Sequence, residues 1–194
     1  MYAQRETIEI RETNDVDILV EIATKWDYAS IEDHLRSVGF TNVQESDFIG
    51  RYELSGLIVD LMATDESILG FSNKWYKEGF QTAIHYRIDE HATVKIFDGP
   101  HFIASKIEAF KNRGGEDGWF SSDFEDIIFV LENRPTIWDE MNESSPELKK
   151  YLKMEFKGLA DNPYIEEWIA AHTSFFSPAS ISNIIQDLNR FVSE

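Results

Sequence analysis

Asp15 and Asp17 stand two positions apart in the run Arg11-Glu12-Thr13-Asn14-Asp15-Val16-Asp17. Side chains alternate between faces along a strand, so on a strand this pair shares one face. Carboxylates held that close repel each other unless a cation sits between them. A hard divalent ion with oxygen ligands, Mg²⁺ or Mn²⁺, suits such a pair. A third carboxylate, Asp60, stands in Leu57-Ile58-Val59-Asp60-Leu61-Met62, a segment that is otherwise apolar on both faces. A lone charge there is costly to bury unless it is paired or binds a metal. A paired-aspartate strand beside a strand carrying a third aspartate is an arrangement used for two-metal phosphoryl transfer. The same residues also read as a solvated strand end in an acidic protein, with Asp60 wet at the end of its strand. Residue types alone leave both readings open.

The elements that must position these groups can be read from periodicity. Val16, Ile18, Val20 and Ile22 alternate with Asp15, Asp17, Leu19 and Glu21, which predicts a strand with one face turned to the core. Thr7 to Arg11 is a shorter strand candidate. Ser30 is placed to cap a helix carrying Ile31, Leu35 and Val38 and ending at Gly39. Arg51 to Leu54, a Ser55-Gly56 turn and Leu57 to Ala63 read as a hairpin. Asn73 to Tyr86 reads as a helix and Thr93 to Phe97 as a strand. After Gly99-Pro100 nearly everything reads as helical: His101 to Asn112, a helix capped by Ser122 and running to Glu132, Pro146 to Leu159, Pro163 to Ala171 and Pro178 to Val192. Proline near a first helical turn removes an N–H that has no partner there. The expected fold is α+β: a mixed sheet with flanking helices over residues 1–98, then a helical region over 99–194.

Composition narrows the functional classes. The 194 residues carry 36 acidic and 18 basic side chains, a net charge of −18. Broad nucleic-acid or anionic-lipid surfaces need a basic face to displace counterions, so they are disfavoured. With no cysteine, disulfides, thiolate zinc sites and cysteine nucleophiles drop out, which fits a reducing cytoplasm. Met1 to Arg11 lacks the apolar stretch of a signal peptide. The longest apolar run, Ile127 to Leu131, is too short to span a bilayer. The histidines show no metal-ligand spacing and read as structural or surface residues. Trp75, Tyr76 and Phe80, and later Tyr151, Met154, Trp168, Ile169, Ile184, Leu188 and Phe191, read as core packing.

Several segments together resemble the AbiEii-type nucleotidyltransferases of the polymerase-beta-like superfamily, which include toxins of toxin–antitoxin and abortive-infection systems. They are Arg11-x-Thr13-x-Asp15-Val16-Asp17, Gly56 to Met62, Ile68 to Tyr76, Phe102 to Phe110, Arg113-Gly114-Gly115, and Ser122-Asp123-Phe124-Glu125-Asp126-Ile127. The resemblance implies an Mg²⁺-dependent (or Mn²⁺-dependent) enzyme that moves a nucleoside monophosphate from an NTP to a hydroxyl. The acceptor would be an RNA end, a protein side chain or a small molecule, and an antitoxin partner is implied as well. Asp15 and Asp17 match the first metal pair and Asp60 the third carboxylate. Arg11 and Thr13 match the residues flanking that pair, Lys106 a lysine that contacts nucleotide phosphates, and Asp123 and Asp126 the paired aspartates of the last motif. The family often has arginine where this chain has Ser122. The superfamily also carries a Gly-Gly or Gly-Ser pair shortly before its first metal aspartate, whose backbone N–H groups hold the triphosphate. The matching window, Met1 to Glu6, contains neither pair, so a truncated start or a lost nucleotide grip is expected. The alternative function is therefore a catalytically impaired relative that binds a partner or nucleotide without turnover.

Without the resemblance, Lys106 reads as a snorkelling surface lysine on an otherwise apolar helix face. Residues 113–118 read as a helix stop and loop. Asp123 and Asp126 read as carboxylates favoured by a helix N-terminus.

Overall fold

The structure is a computed structural model that describes residues 1–3, 13, 15–22, 24–44, 46, 48–70, 72–113, 117–173 and 177–193. The fold is α+β, with a four-stranded mixed sheet, a separate two-stranded sheet and a helical C-terminal half. Two units divide the chain, Ile10–Gln81 on one side and Met1–Glu9 with Thr82–Glu194 on the other.

The first unit, here the strand unit, contains β1 (Asp15–Val20), α1 (Lys25–Ser37), β2 (Thr41–Asn42), β3 (Arg51–Leu54), β4 (Leu57–Ala63), α2 (Glu66–Leu69) and α3 (Tyr76–Gln81). Its sheet order is β1-β4-β3-β2, with β1 parallel to β4 and the other pairs antiparallel. The β3–β4 hairpin turns at Ser55 and Gly56, whose φ values of 53° and 88° are the pair of positive angles a two-residue type I′ turn requires. At the start of β3, the Leu61 N–H donates to the Gly50 carbonyl at 2.8 Å. A Cβ on Gly50 would stand 2.3 Å from the Leu61 oxygen, so this strand approach needs glycine.

One face of this sheet makes the unit's core. Tyr52 and Leu61 pack with Ile22 and with Tyr28 of α1, joined by Val20, Ile31 and Leu35. The buried Tyr52 hydroxyl donates to Glu32 Oε1 at 2.6 Å and lies 3.3 Å from the Tyr28 hydroxyl. Burial, together with these hydroxyl and carboxylate neighbours, pushes the Tyr52 phenol far up, so it stays protonated as a donor.

The second unit, here the helical unit, contains β5 (Ile84–Arg87) and β6 (Thr93–Ile96), an antiparallel pair. They precede α4 (Gly99–Asn112), α5 (Ser122–Asn133), α6 (Ile137–Glu143), α7 (Pro146–Ala160), α8 (Ile165–His172) and α9 (Pro178–Ser193). Its core holds two aromatic groups. Trp138, Phe156 and Phe191 have ring centroids 5.7–5.8 Å apart. Phe110, Phe124 and Trp168 meet at 5.4–6.2 Å. Such tilted and edge-on pairs add to the area they bury.

Several sequence expectations need correction. The helix expected from Ser30 starts earlier, at Lys25, because Thr24 caps it by accepting from the Asp27 N–H. Asn73 to Tyr86 is not one helix. It ends at Gln81, and Ile84–Arg87 pairs with β6, where β-branched and aromatic side chains favour the pleated partner. Ser121 rather than Ser122 caps α5. Pro163 precedes α8, which begins at Ile165. Between α5 and α7 the chain adds α6, seven residues long and without a side-chain cap that would mark its start in the sequence. Met154 is 62% exposed, since α7 turns Leu148, Tyr151, Leu152 and Phe156 inward and leaves Met154 on the outer face. The candidate strand Thr7 to Arg11 lies outside the described residues.

Candidate functional site

In β1 the alternation survives, but its exposure does not follow the expected pattern. Val16 and Ile18 are 44% and 42% exposed. Only toward its end, at Val20 and then Ile22, does the segment join the core. The reason is position. Among the described strands β1 lies at the sheet edge, paired with β4 alone. The other face of β1 carries Asp15 and Asp17, both exposed.

The parallel pairing sets Asp17 directly beside Asp60, and Asp15 beside Ile58. In-register partners share a face, so Asp15, Asp17 and Asp60 lie on one side of the sheet. Asp60 is not wet at a strand end. It sits inside β4 and is 8% exposed.

What makes its burial tolerable is Arg51, a residue the sequence reading did not single out. The antiparallel β3–β4 register puts Arg51 opposite Asp60. Its guanidinium donates to both carboxylate oxygens, Nε to Oδ1 at 2.7 Å and Nη2 to Oδ2 at 2.6 Å. This is the planar, bidentate form of the charge-assisted pair. The hydrogen bonding to Asp60 holds the guanidinium above its ordinary pKa. Partial burial opposes this, and the fields of Asp60, Asp15 and Asp17 reinforce it. One cation is thus held in the field of all three strand carboxylates. A signal for Arg51 was present in the sequence. A two-residue turn at Ser55-Gly56 pairs Leu54 with Leu57, and counting back along both strands pairs Arg51 with Asp60.

Beyond this polar patch, the same sheet face carries Met62. The Tyr76 hydroxyl of α3 lies 3.2 Å from the Met62 sulfur. Thr13 is exposed just before β1, and Arg11 lies outside the described residues.

The later motif residues meet in the helical unit. Lys106 projects from α4 and contacts two carboxylates of α5, Asp126 Oδ2 at 2.6 Å and Asp123 Oδ1 at 3.3 Å. Arg113, the C-cap of α4, reaches Asp123 Oδ2 at 3.4 Å. Asp123 is 3% exposed. Burial alone would lower the Lys106 pKa, but the facing Asp126 and Asp123 outweigh it and hold the ammonium above its ordinary value. The Lys106 Nζ stands over the Phe102 ring, 5.8 Å from its centroid, and Phe102 stacks on Tyr2 at 4.0 Å. Lys106 is therefore no free surface lysine. Of the loop that follows Arg113, residues 114–116 lie outside the described residues.

The sequence candidates thus fall into two clusters, Asp15, Asp17 and Asp60 in the strand unit and Lys106, Asp123 and Asp126 in the helical unit. The strand cluster offers carboxylate oxygens, the donor type that a hard divalent ion takes. As arranged, both Asp60 oxygens face Arg51. Among the described residues no group of three or more His, Asp or Glu side chains is gathered closely enough to hold a metal. Among them, too, no helix is long and apolar enough to cross a membrane. No family model matches the chain, and no curated protein matches it.

Proposed function

We propose that this chain is a nucleotidyltransferase of the AbiEii type, transferring a nucleoside monophosphate from an NTP to a hydroxyl with Mg²⁺ or Mn²⁺. The observation that carries the reading is the register of β1 on β4. It aligns Asp17 with Asp60 and keeps Asp15 on their face, and nothing in the D-x-D pattern alone required that. The meeting of Lys106, Asp123 and Asp126 in one cluster adds support, because two separate stretches of the resemblance then have local partners.

In this reading Asp15, Asp17 and Asp60 hold the divalent ions. Those ions supply charge neutralisation at the triphosphate and at the attacking oxygen. Asp60 accepts the proton of the acceptor hydroxyl. That oxygen bonds to the α-phosphorus, the bond to the β-phosphate breaks, and pyrophosphate leaves. The small exposed patch on β1 fits a compact acceptor, whereas a net charge of −18 opposes a long nucleic-acid footprint. An NTP is the donor. The acceptor class, whether an RNA end, a protein side chain or a small molecule, is read from the assay, as is any antitoxin that suppresses the transfer.

The assay incubates the chain with each labelled NTP, Mg²⁺ and candidate acceptors. Transfer that disappears in Asp15→Ala with Asp17→Ala supports the reading, and transfer that persists refutes it. A second reading, a catalytically impaired relative that binds without turnover, is favoured by the engagement of both Asp60 oxygens by Arg51. It predicts NTP binding in calorimetry with no transfer to any acceptor.

A further inference from the structure

We infer that a cavity between α5, α6 and α9 of the helical unit binds a small organic dication, a diamine whose two ammonium groups are joined by a short alkyl stem. None of its residues belongs to either aspartate cluster, so the inference stands apart from the nucleotidyltransferase reading. The cavity has a volume of about 200 Å³, and its lining includes Glu132 of α5, Trp138 of α6, and Ser180, Asn183, Ile184 and Asp187 of α9. An apolar cavity of about 150 Å³ holds one benzene, so this volume takes a ligand of roughly six to nine heavy atoms.

The lining decides the charge of that ligand. Among the described residues it carries two carboxylates and no basic side chain, which favours a cation over an anion. Glu132 is 8% exposed and stands in the last turn of α5. The carboxyl end of a helix already bears the negative end of the helix dipole, so a carboxylate buried there adds to a field that a cation relieves. An ionised carboxylate accepts at about four positions, so the contacts Glu132 makes within the protein leave room for a further donor. Trp138 and Ile184, both buried, give an apolar wall for an alkyl stem. The Ser180 hydroxyl and the Asn183 side-chain carbonyl are acceptors for ammonium N–H groups.

The second carboxylate fixes the number of charges. Asp187 keeps 31% of its side chain in solvent and pairs with Arg190, whose side chain is 61% exposed. An exposed pair of this kind contributes little, so a second ammonium competes with Arg190 for Asp187 at low cost. One carboxylate is buried and the other half-open. That arrangement suits a ligand with a charge at each end, one inside the cavity and one toward water.

The test uses ¹H–¹⁵N spectra of the full chain, with the Trp138 indole N–H signal assigned by its absence from Trp138→Phe. Three probes are titrated at neutral pH and constant ionic strength: putrescine, n-butylammonium, which matches a lysine side chain, and uncharged n-butanol. Putrescine should move the Trp138 signal saturably. The monocation should bind about tenfold more weakly, because one charge-assisted hydrogen bond is missing. The alcohol should leave the signal unchanged. Glu132→Gln should weaken both amines about tenfold. Asp187→Asn should bring putrescine down to the affinity of n-butylammonium and leave n-butylammonium itself unaltered. Circular dichroism establishes that each variant is folded, and the partly exposed Asp187 keeps the test running if Glu132→Gln is not. No saturable shift with putrescine overturns the inference, as does an equal response to n-butanol. Equal affinity for the two amines in the parent, or undiminished putrescine affinity in a folded Glu132→Gln or Asp187→Asn, overturns it as well.

Discussion

Two clusters in this molecule are built from the same parts, aspartates gathered around a basic side chain, and they differ in what surrounds them. In the helical unit, Lys106 faces Asp123 and Asp126 across two packed helices, with Lys106 Nζ 2.6 Å from Asp126, the Asp123 side chain only 5% exposed and Arg113 adding a second base. In the strand unit, Arg51 faces Asp60 on a sheet whose edge strand presents Asp15 and Asp17 to solvent. The first cluster buries Asp123 and leaves Lys106 and Asp126 about a quarter exposed, with Arg113 open to water. The second buries one carboxylate and leaves two exposed. A closed cluster holds structure, because any loss strands a charge out of water. An open one receives ligands, because water can be exchanged for an ion at little structural cost. The contrast teaches that matching residue types do not make matching surroundings: one cluster packs its carboxylates between two helices, and the other leaves two of its three on an exposed strand.

The sharpest way to break this contrast is to remove each base in turn. Lys106→Met leaves the buried Asp123 with only the more distant Arg113 and puts Asp126 beside it without a shared cation, and unfolding by denaturant should show a loss of about 3 kcal/mol. Arg51→Gln leaves a single nearly buried carboxylate beside solvent, and the same measurement should show a smaller loss, about 1–2 kcal/mol. If the order is reversed, Arg51 is the base that holds structure and the strand cluster is no receptor.

A pH series separates the clusters further. The Lys106 ammonium has a folded-state pKa above its ordinary value. Its contribution is therefore complete below the ordinary lysine value, about 10.4, and is lost as pH rises through the folded value. Melting temperatures of the parent should fall above that pH more steeply than those of Lys106→Met. Parallel curves would show that the lysine charge does not hold the helices.

The smallest effect on stability is expected at the exposed pair. Asp15→Asn should change the unfolding free energy by no more than about 0.5 kcal/mol, because Asp15 is exposed. Asp15→Asn with Asp17→Asn should abolish divalent-ion binding. A large stability loss there would mean that the edge strand depends on those carboxylates for its own structure.

The β3–β4 hairpin was legible in the sequence because the Ser55-Gly56 turn fixes its register without outside help. The helices α4 and α7 were legible because a proline stands in the first turn of each, behind the caps Asp98 and Ser145, and α5 was legible to within one residue of its true cap, Ser121. Asp60 was recognised as an anomaly from its apolar neighbours alone. What failed had non-local causes. Ile84–Arg87 takes its strand form from pairing with Thr93–Ile96, and no helical period in the preceding residues foretells that. The exposure of Val16 and Ile18 follows from sheet order, which alternation does not encode. Arg51 carries no motif of its own, and only the register set by the Ser55-Gly56 turn places it opposite Asp60. The partners of Lys106 became visible only when α4 and α5 packed.

The central claim is that the face shared by Asp15, Asp17 and Asp60 is the cation and nucleotide site. Crystals grown with Mn²⁺ and a non-hydrolysable NTP test it most directly, because anomalous scattering locates the ion without interpretation of side chains. The account predicts an anomalous peak within ligand distance of Asp15, Asp17 and Asp60. Mn²⁺ and nucleotide bound elsewhere, with the Arg51–Asp60 pair intact and no peak at the strand carboxylates, would contradict it.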